Sequence, residues 1–207
     1  VLFSEIGQYK ASYAADQAIA PMRQDRWALI ALIGVALLVP VIITEYWLAA
    51  ILIPTLCLGL AALGTNIITG YAGQLSLGTA AFMAVGGFST YNMLIRLPDL
   101  PFPVAILLAG LIAGLFGVLV GLPSLRIKGF YLIVATLFAH FFVQWLFDAY
   151  PWFKNFNAQG EVKPPPLQLF GYVLSSPQSL YYMVIAFVIP LTLLAKNMMR
   201  STLGRNM

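Results

Sequence analysis

Asn66, Thr69, Tyr71, Gln74 and Ser76 place five hydrogen-bonding side chains in one short stretch, interleaved with Gly70, Gly73 and Gly78. No charged residue occurs between Glu45 and Arg96. Neutral donors and acceptors in apolar surroundings suit holding and passing a polar solute rather than making or breaking bonds. Residues 70–78 are also poor helix material, because each glycine costs roughly 1 kcal/mol against alanine in a helix interior. Non-helical backbone near membrane depth persists only where it is buried in protein or lines a watery cavity, and transporters place their solute path at such breaks. An ordinary cytoplasmic turn is the alternative reading.

A second polar set recurs every four residues: Thr136, His140, Gln144 and Asp148. On a helix this stripe drifts slowly around one side. An acidic residue at mid-helix costs roughly 2.5–3.5 kcal/mol on insertion scales, so the stripe is expected to face other helices or water, with Asp148 near the outer end. His140 reads as a satisfied interior histidine or as a group for proton relay or solute contact. Gly110, Gly114, Gly117 and Gly121 share one helical face and predict close helix packing. No metal-ligand spacing and no set of nucleophile, base and orienting group is found. There is no phosphate-binding Gly-x-x-x-x-Gly-Lys-Ser/Thr loop, so ATP binding by that route is not expected. Cys57, the single cysteine, reads as a small hydrophobe.

The elements that must position these residues are membrane spans. Hydrophobic residues make up 61% and charged residues 9% of the chain, where a soluble domain carries roughly 25% charge. The mean hydropathy is +0.89. Charge-free windows at 27–44, 46–95, 100–125, 129–147 and 164–195 predict an all-α, polytopic transmembrane helical bundle. Six spans are expected at about 27–43, 48–69 (interrupted by Pro54), 79–95, 101–122, 130–147 and 180–195, with a tight link at 44–47. Residues 1–26 are expected along the cytoplasmic face, 149–178 as an outer loop, and 197–207 in the cytoplasm. With both termini inside, eight lysines and arginines fall on inner segments and three on outer ones; a re-entrant reading of 48–95 gives six to five. The first arrangement obeys the positive-inside rule better. The net charge of +4 is scattered among loops and implies no nucleic-acid partner. The outer loop, with Tyr150, Trp152, Phe153, Phe156 and Pro164 to Pro166, reads either as a surface for an external partner or as a structural cap. Opening on Val1 and stopping at Met207 in a polar segment, the sequence reads as a fragment.

Asn66, Gly70, Tyr71, Gly73, Gln74, Ser76, Leu77, Gly78, Ala80, Ala81 and Phe82 together spell N-x-x-x-G-Y-x-G-Q-x-S-L-G-x-A-A-F. This resembles the signature of the permease subunits of branched-chain amino-acid ABC transporters, of the LivM type. The stretch from Tyr9 to Pro21 resembles that family's leader. The run from Gly121 to Gly129, followed by Tyr131, Thr136 and Leu137, resembles its next hallmark, and Ser201 to Arg205 the opening of its cytoplasmic coupling segment. Departures occur at Thr79, where many members have histidine, at Gly87 and Phe88, at Phe141, and around Asn155 to Pro166.

The resemblance implies a bacterial inner-membrane permease subunit of a binding-protein-dependent importer. Its solute would be a branched-chain amino acid or a related small amide or urea. It implies a second permease subunit, a periplasmic substrate-binding protein, and cytoplasmic ATPase subunits that carry the ATP, so this chain needs no cofactor of its own and is not an enzyme. Gly204 and Arg205 would couple to the ATPase. The residues themselves place the pathway beside 70–78, lined by Asn66, Thr69, Tyr71, Gln74 and Ser76, with His140 and Gln144 on the polar stripe. The rival reading is a stand-alone secondary transporter or channel passing protons through His140 and Asp148; a third is a membrane scaffold that transports nothing.

Overall fold

The computed structural model describes residues 23–124, 130–157, 162, 165–169, 172–174, 176–201 and 204. The amino-terminal segment 1–22, residues 125–129 of the second motif, and Arg205 lie outside the described residues. Among the described residues six long helices carry the fold: α1 (Arg23–Ile42), α2 (Glu45–Tyr71), α3 (Thr79–Arg96), α4 (Phe102–Ser124), α5 (Phe130–Ala149) and α6 (Pro177–Arg200). The protein is an all-α, polytopic membrane bundle. Four segments are long and apolar enough to span a membrane: Glu45–Tyr71, Phe102–Leu122, Tyr131–Ala149 and Pro177–Arg200. Trp27–Ile42 is a shorter apolar helix.

The second helix departs from the sequence reading. It runs unbroken for 27 residues, about 40 Å at 1.5 Å per residue, so the link from α1 is only residues 43–44 and Pro54 does not interrupt it. Proline has no N–H to donate and its ring crowds the preceding turn. A π-helical turn at Leu48–Leu52 absorbs this, with the Ile53 amide donating to the Leu48 carbonyl. A second π-helical turn, Ile67–Tyr71, ends the helix. There the Ala72 amide reaches the Ile67 carbonyl at 3.3 Å and the Gln74 amide the Ile68 carbonyl at 3.1 Å. Gly73 then turns the chain at φ +63°, a conformation that costs glycine little.

The helices sort into two groups of three. In one, Leu48 of α2 packs with Tyr181 and Ile185 of α6, flanked by Ala36 and Val39 of α1. In the other, Ala81 and Val85 of α3 pack with Val143 and Phe147 of α5 and with Ala113 and Phe116 of α4. Phe88 stacks on Phe147 at 4.3 Å between ring centroids. α3 is the helix most enclosed by its neighbours, which lets it carry Ser89, Thr90 and Asn92 without facing lipid. On α4 the reverse holds: Leu107, Leu111, Leu115 and Leu119 form one i, i+4 row, 64–69% exposed, as a lipid-facing ridge requires.

After α5 the chain makes a 3-10 turn, Pro151–Lys154, and passes Asn155 and Phe156 in left-handed conformations (φ 53° and 56°). This segment is clamped to the end of α3. The Asn92 amide donates to the carbonyls of Phe88 (2.9 Å) and Phe153 (3.0 Å). Arg96 donates to the Trp152 carbonyl at 3.1 Å and lies 3.8 Å over the Trp152 ring. Two three-residue strands, Leu167–Leu169 and Tyr172–Leu174, pair antiparallel with Gln168 opposite Val173; the sequence reading assigned no secondary structure to this loop. Ser176 caps α6, its Oγ accepting from the Ser179 amide at 3.3 Å with Pro177 in the first turn.

Candidate functional site

Residues 72–78 are the only covalent link between α2 of the first group and α3 of the second, and the polar side chains around them split by helical face. One face meets the second group. Thr65 Oγ1 lies 2.9 Å from Thr79 Oγ1, and Thr69, one turn beyond Thr65, donates to the Thr65 carbonyl at 2.9 Å. Gly78 is buried, with its Cα side against Phe82 and Thr136. The Leu77 amide donates to Thr136 Oγ1 at 3.1 Å while that hydroxyl donates to the Ile133 carbonyl at 3.0 Å. Ser76 Oγ accepts from the Gly78 amide at 3.3 Å. The end of the glycine-rich segment is therefore docked on α5, while Gly73, Gln74 and Leu75 are exposed.

The other face of α2 looks towards α6. Asn66 and Tyr71 line a cavity of about 350 Å³ with Thr192, Lys196, Met199 and Arg200. Gly70 leaves room there for the Asn66 side chain: a Cβ at that position would stand 3.0 Å from Asn66 Oδ1, a tight contact that the asparagine would have to relieve by shifting.

On α5 the polar stripe turns from interior to exterior. Thr136 is buried, His140 half-buried, and Gln144 and Asp148 exposed. Four residues advance a helix by about 40° beyond a full turn, so four members sweep across a third of the circumference. His140 lies one turn beyond Thr136, and its Nδ1 is buried without a hydrogen-bond partner. Asp148 pairs with Lys154 at 2.5 Å. Of the four glycines on α4, a Cβ added at Gly117 would stand 3.5 Å from the Phe82 ring, whereas one at Gly110, Gly114 or Gly121 would meet nothing described within 4 Å. Among the described residues no group of His, Cys, Asp and Glu could hold a metal ion.

The structure thus brings Ser76 and Gly78 to Thr136, and Asn66 and Tyr71 to the basic end of α6, as two separate sets. Sequence reasoning missed the Thr65–Thr79 pair and the approach of Lys196 and Arg200. The i, i+4 spacing of Thr65 and Thr69 was a legible signal for the first.

Residues 47–207 match the profile of the family described as "Branched-chain amino acid transport system / permease component". The chain belongs to this family. It is similar to the high-affinity branched-chain amino acid transport system permease protein LivM of Salmonella typhimurium (strain LT2) and to that of Escherichia coli (strain K12). Each is 40% identical over 75 residues, 36% of this chain and 17% of the relative. No solved structure matches. The permease profile begins at Trp47, within the first turns of α2, and takes in both groups of the candidate site. The match spans only 17% of each of these relatives' own length, and family membership agrees with the multi-pass helical architecture described above.

Proposed function

We propose that this chain is the permease subunit of a binding-protein-dependent ABC importer in the bacterial inner membrane, and that its solute is a branched-chain amino acid or a related small amide or urea. The chain crosses six times with both termini in the cytoplasm, in accord with the eight-to-three distribution of lysine and arginine. A periplasmic binding protein delivers the solute and a second permease subunit completes the pathway. ATPase subunits, which carry the ATP, act on the cytoplasmic segment that begins at Gly204 and Arg205. The solute passes along the seam between the two helix groups, beside residues 70–78. Thr69, Gln74 and Ser76 lie on that route, with His140 and Gln144 on the α5 side and Asn66 and Tyr71 at its α6 margin.

The observation that carries this reading is the pairing of Leu77 with Thr136 one turn from the unpartnered Nδ1 of His140. Buried polar atoms take a hydrogen-bond partner, and His140 lies one helical turn along α5 from the threonine on which the glycine-rich segment docks. The test is uptake into membrane vesicles holding the complete system. ATP-dependent uptake that survives a protonophore supports the importer. Uptake that collapses with a protonophore in the presence of ATP overturns it in favour of proton coupling through His140. Ser76→Leu should reduce uptake with membrane insertion intact; unchanged uptake would remove Ser76 from the route.

A further inference from the structure

A cavity of about 310 Å³ lies at the end of α3 remote from the glycine-rich segment. Its mouth is at the exposed Arg96 and Leu97, and it reaches the buried Phe147. Phe88, Met93, Ile112 and Phe153 complete an apolar wall drawn from α3, α4 and the 3-10 turn. The polar groups come from Ser89, Asn92 and Arg96, which share one face of α3. Arg96 folds back along the helix. Its Nε donates to Asn92 Oδ1 at 3.3 Å and its Nη2 to the Trp152 carbonyl at 3.1 Å, with the guanidinium 3.8 Å over the Trp152 ring. Among the described residues these partners are all neutral, and no aspartate or glutamate lines the cavity. The charge is held in place without being neutralised, and a guanidinium has five N–H groups, more than these bonds use. Thr90 spends its hydroxyl on the Gly86 carbonyl at 2.9 Å, whereas the Ser89 hydroxyl has no partner among the described residues.

We propose that this cavity binds a small monocarboxylate with an apolar tail and no amino group. The carboxylate takes the remaining donors of Arg96, a pairing for which the guanidinium fork is suited, with the Ser89 hydroxyl next along the same face. The tail lies against Phe88, Ile112 and Phe147. The volume stands at the lower end of the range for small-ligand pockets, roughly 300–1,000 Å³, and is too small for a two-chain phospholipid. A zwitterionic amino acid fits less well, because its ammonium would enter an apolar space with no carboxylate to pair it. A bound ligand bridges α3, α4, α5 and the turn after α5, and so stabilises this group of helices. The inference does not rest on the transport reading, since Arg96 and Gly78 stand at opposite ends of α3.

The test titrates isocaproate, ionised at neutral pH, into the purified protein in nanodiscs by isothermal calorimetry, with the heat from empty nanodiscs subtracted. One carboxylate should bind per chain. Isocaproamide, of the same shape without the charge, should bind about 10- to 100-fold more weakly, and L-leucine should also bind more weakly than the acid. Arg96→Gln should lower affinity for the acid by a similar factor. Ile112→Trp fills the cavity from α4 and leaves Arg96 and its partners in place; it should abolish binding, so the outcome does not hang on how well Arg96→Gln folds. No binding above that of empty nanodiscs overturns the proposal, as does equal binding of acid and amide, or either variant binding as the parent does. L-Leucine binding as tightly as the acid or more tightly also overturns it, identifying a site for the zwitterion.

Discussion

The phenolic hydroxyl of Tyr181 donates to the carbonyl of Ala36 at 3.1 Å, and that carbonyl is the acceptor which Pro40 leaves without its helical donor. A proline at position i has no N–H for the carbonyl at i−4. The gap in α1 is therefore filled from α6, 145 residues later in the chain. Tyr182 reaches the Leu37 carbonyl at 3.2 Å and Gln178 the Pro40 carbonyl at 3.2 Å, so three side chains of one helix stitch the loosened turn of another. Tyr181→Phe should lower stability by about 1–3 kcal/mol, the cost of a buried carbonyl left unpaired. In a Pro40→Ala background the restored amide serves Ala36, and the same change should cost much less. A double-mutant cycle on thermal unfolding in detergent reads the coupling; equal costs in both backgrounds would refute the account.

Thr136 holds the glycine-rich segment to α5 through one oxygen. Thr136→Val keeps the shape and removes the acceptor, leaving the Leu77 amide unsatisfied. A loss of about 1–3 kcal/mol is expected, together with faster proteolysis within 70–78. Thr136→Ser should retain most of the parent's stability, and a valine variant as stable and protease-resistant as the parent would contradict the docking.

Two glycines in open surroundings should respond with opposite sign. A Cβ meets nothing within 4 Å at either Gly59 or Gly73. Gly59 lies inside α2, where alanine should stabilise by up to about 1 kcal/mol. Gly73 sits at φ +63°, where alanine should destabilise by roughly 1 kcal/mol or more. Melting temperatures of the two variants moving in the same direction would defeat this.

The segment after α5 is held by a charged pair and by a hydrogen-bond network centred on Asn92, which are of unequal weight. Asp148 is 62% exposed in its pair with Lys154, so Asp148→Asn should cost under about 1 kcal/mol. Asn92 is buried, donates twice and accepts from Arg96 at 3.3 Å. Asn92→Leu should cost about 1–3 kcal/mol and loosen the Trp152 segment, read as greater acrylamide quenching of tryptophan fluorescence than in the parent. Asp148→Asn should leave the quenching unchanged.

The class of fold was legible because long charge-free windows admit few alternatives, and the six helices fall where those windows lie. The course of α2 was not legible. Pro54 and Gly70 are local signals for a break, and the π-helical turns that absorb them depend on how the helix packs. The stripe on α5 was visible in its spacing, yet which members end up interior depends on α3 and α4 lying against it; Thr136 does and Gln144 does not. The glycine row on α4 was equally visible, but among the described residues only at Gly117 would an added Cβ meet a side chain within 4 Å, that of Phe82. Thr79 is instructive. It marks a departure from the family's motif, and in the structure its hydroxyl is the partner of Thr65, a relationship between two helices that no run of neighbouring residues announces.

The return of α6 to the first two helices has a mechanical consequence. A force applied near Arg200 would travel along a stiff rod fastened to α1 and α2 by Tyr181, Tyr182 and Gln178. Besides the chain that joins α5 to α6, its route to the middle three helices includes the contact of Thr65 with Thr79 and the tether of Leu77 to Thr136. A tilt of the final helix would then be felt at that crossing as a widening or narrowing of the gap between α2 and α3.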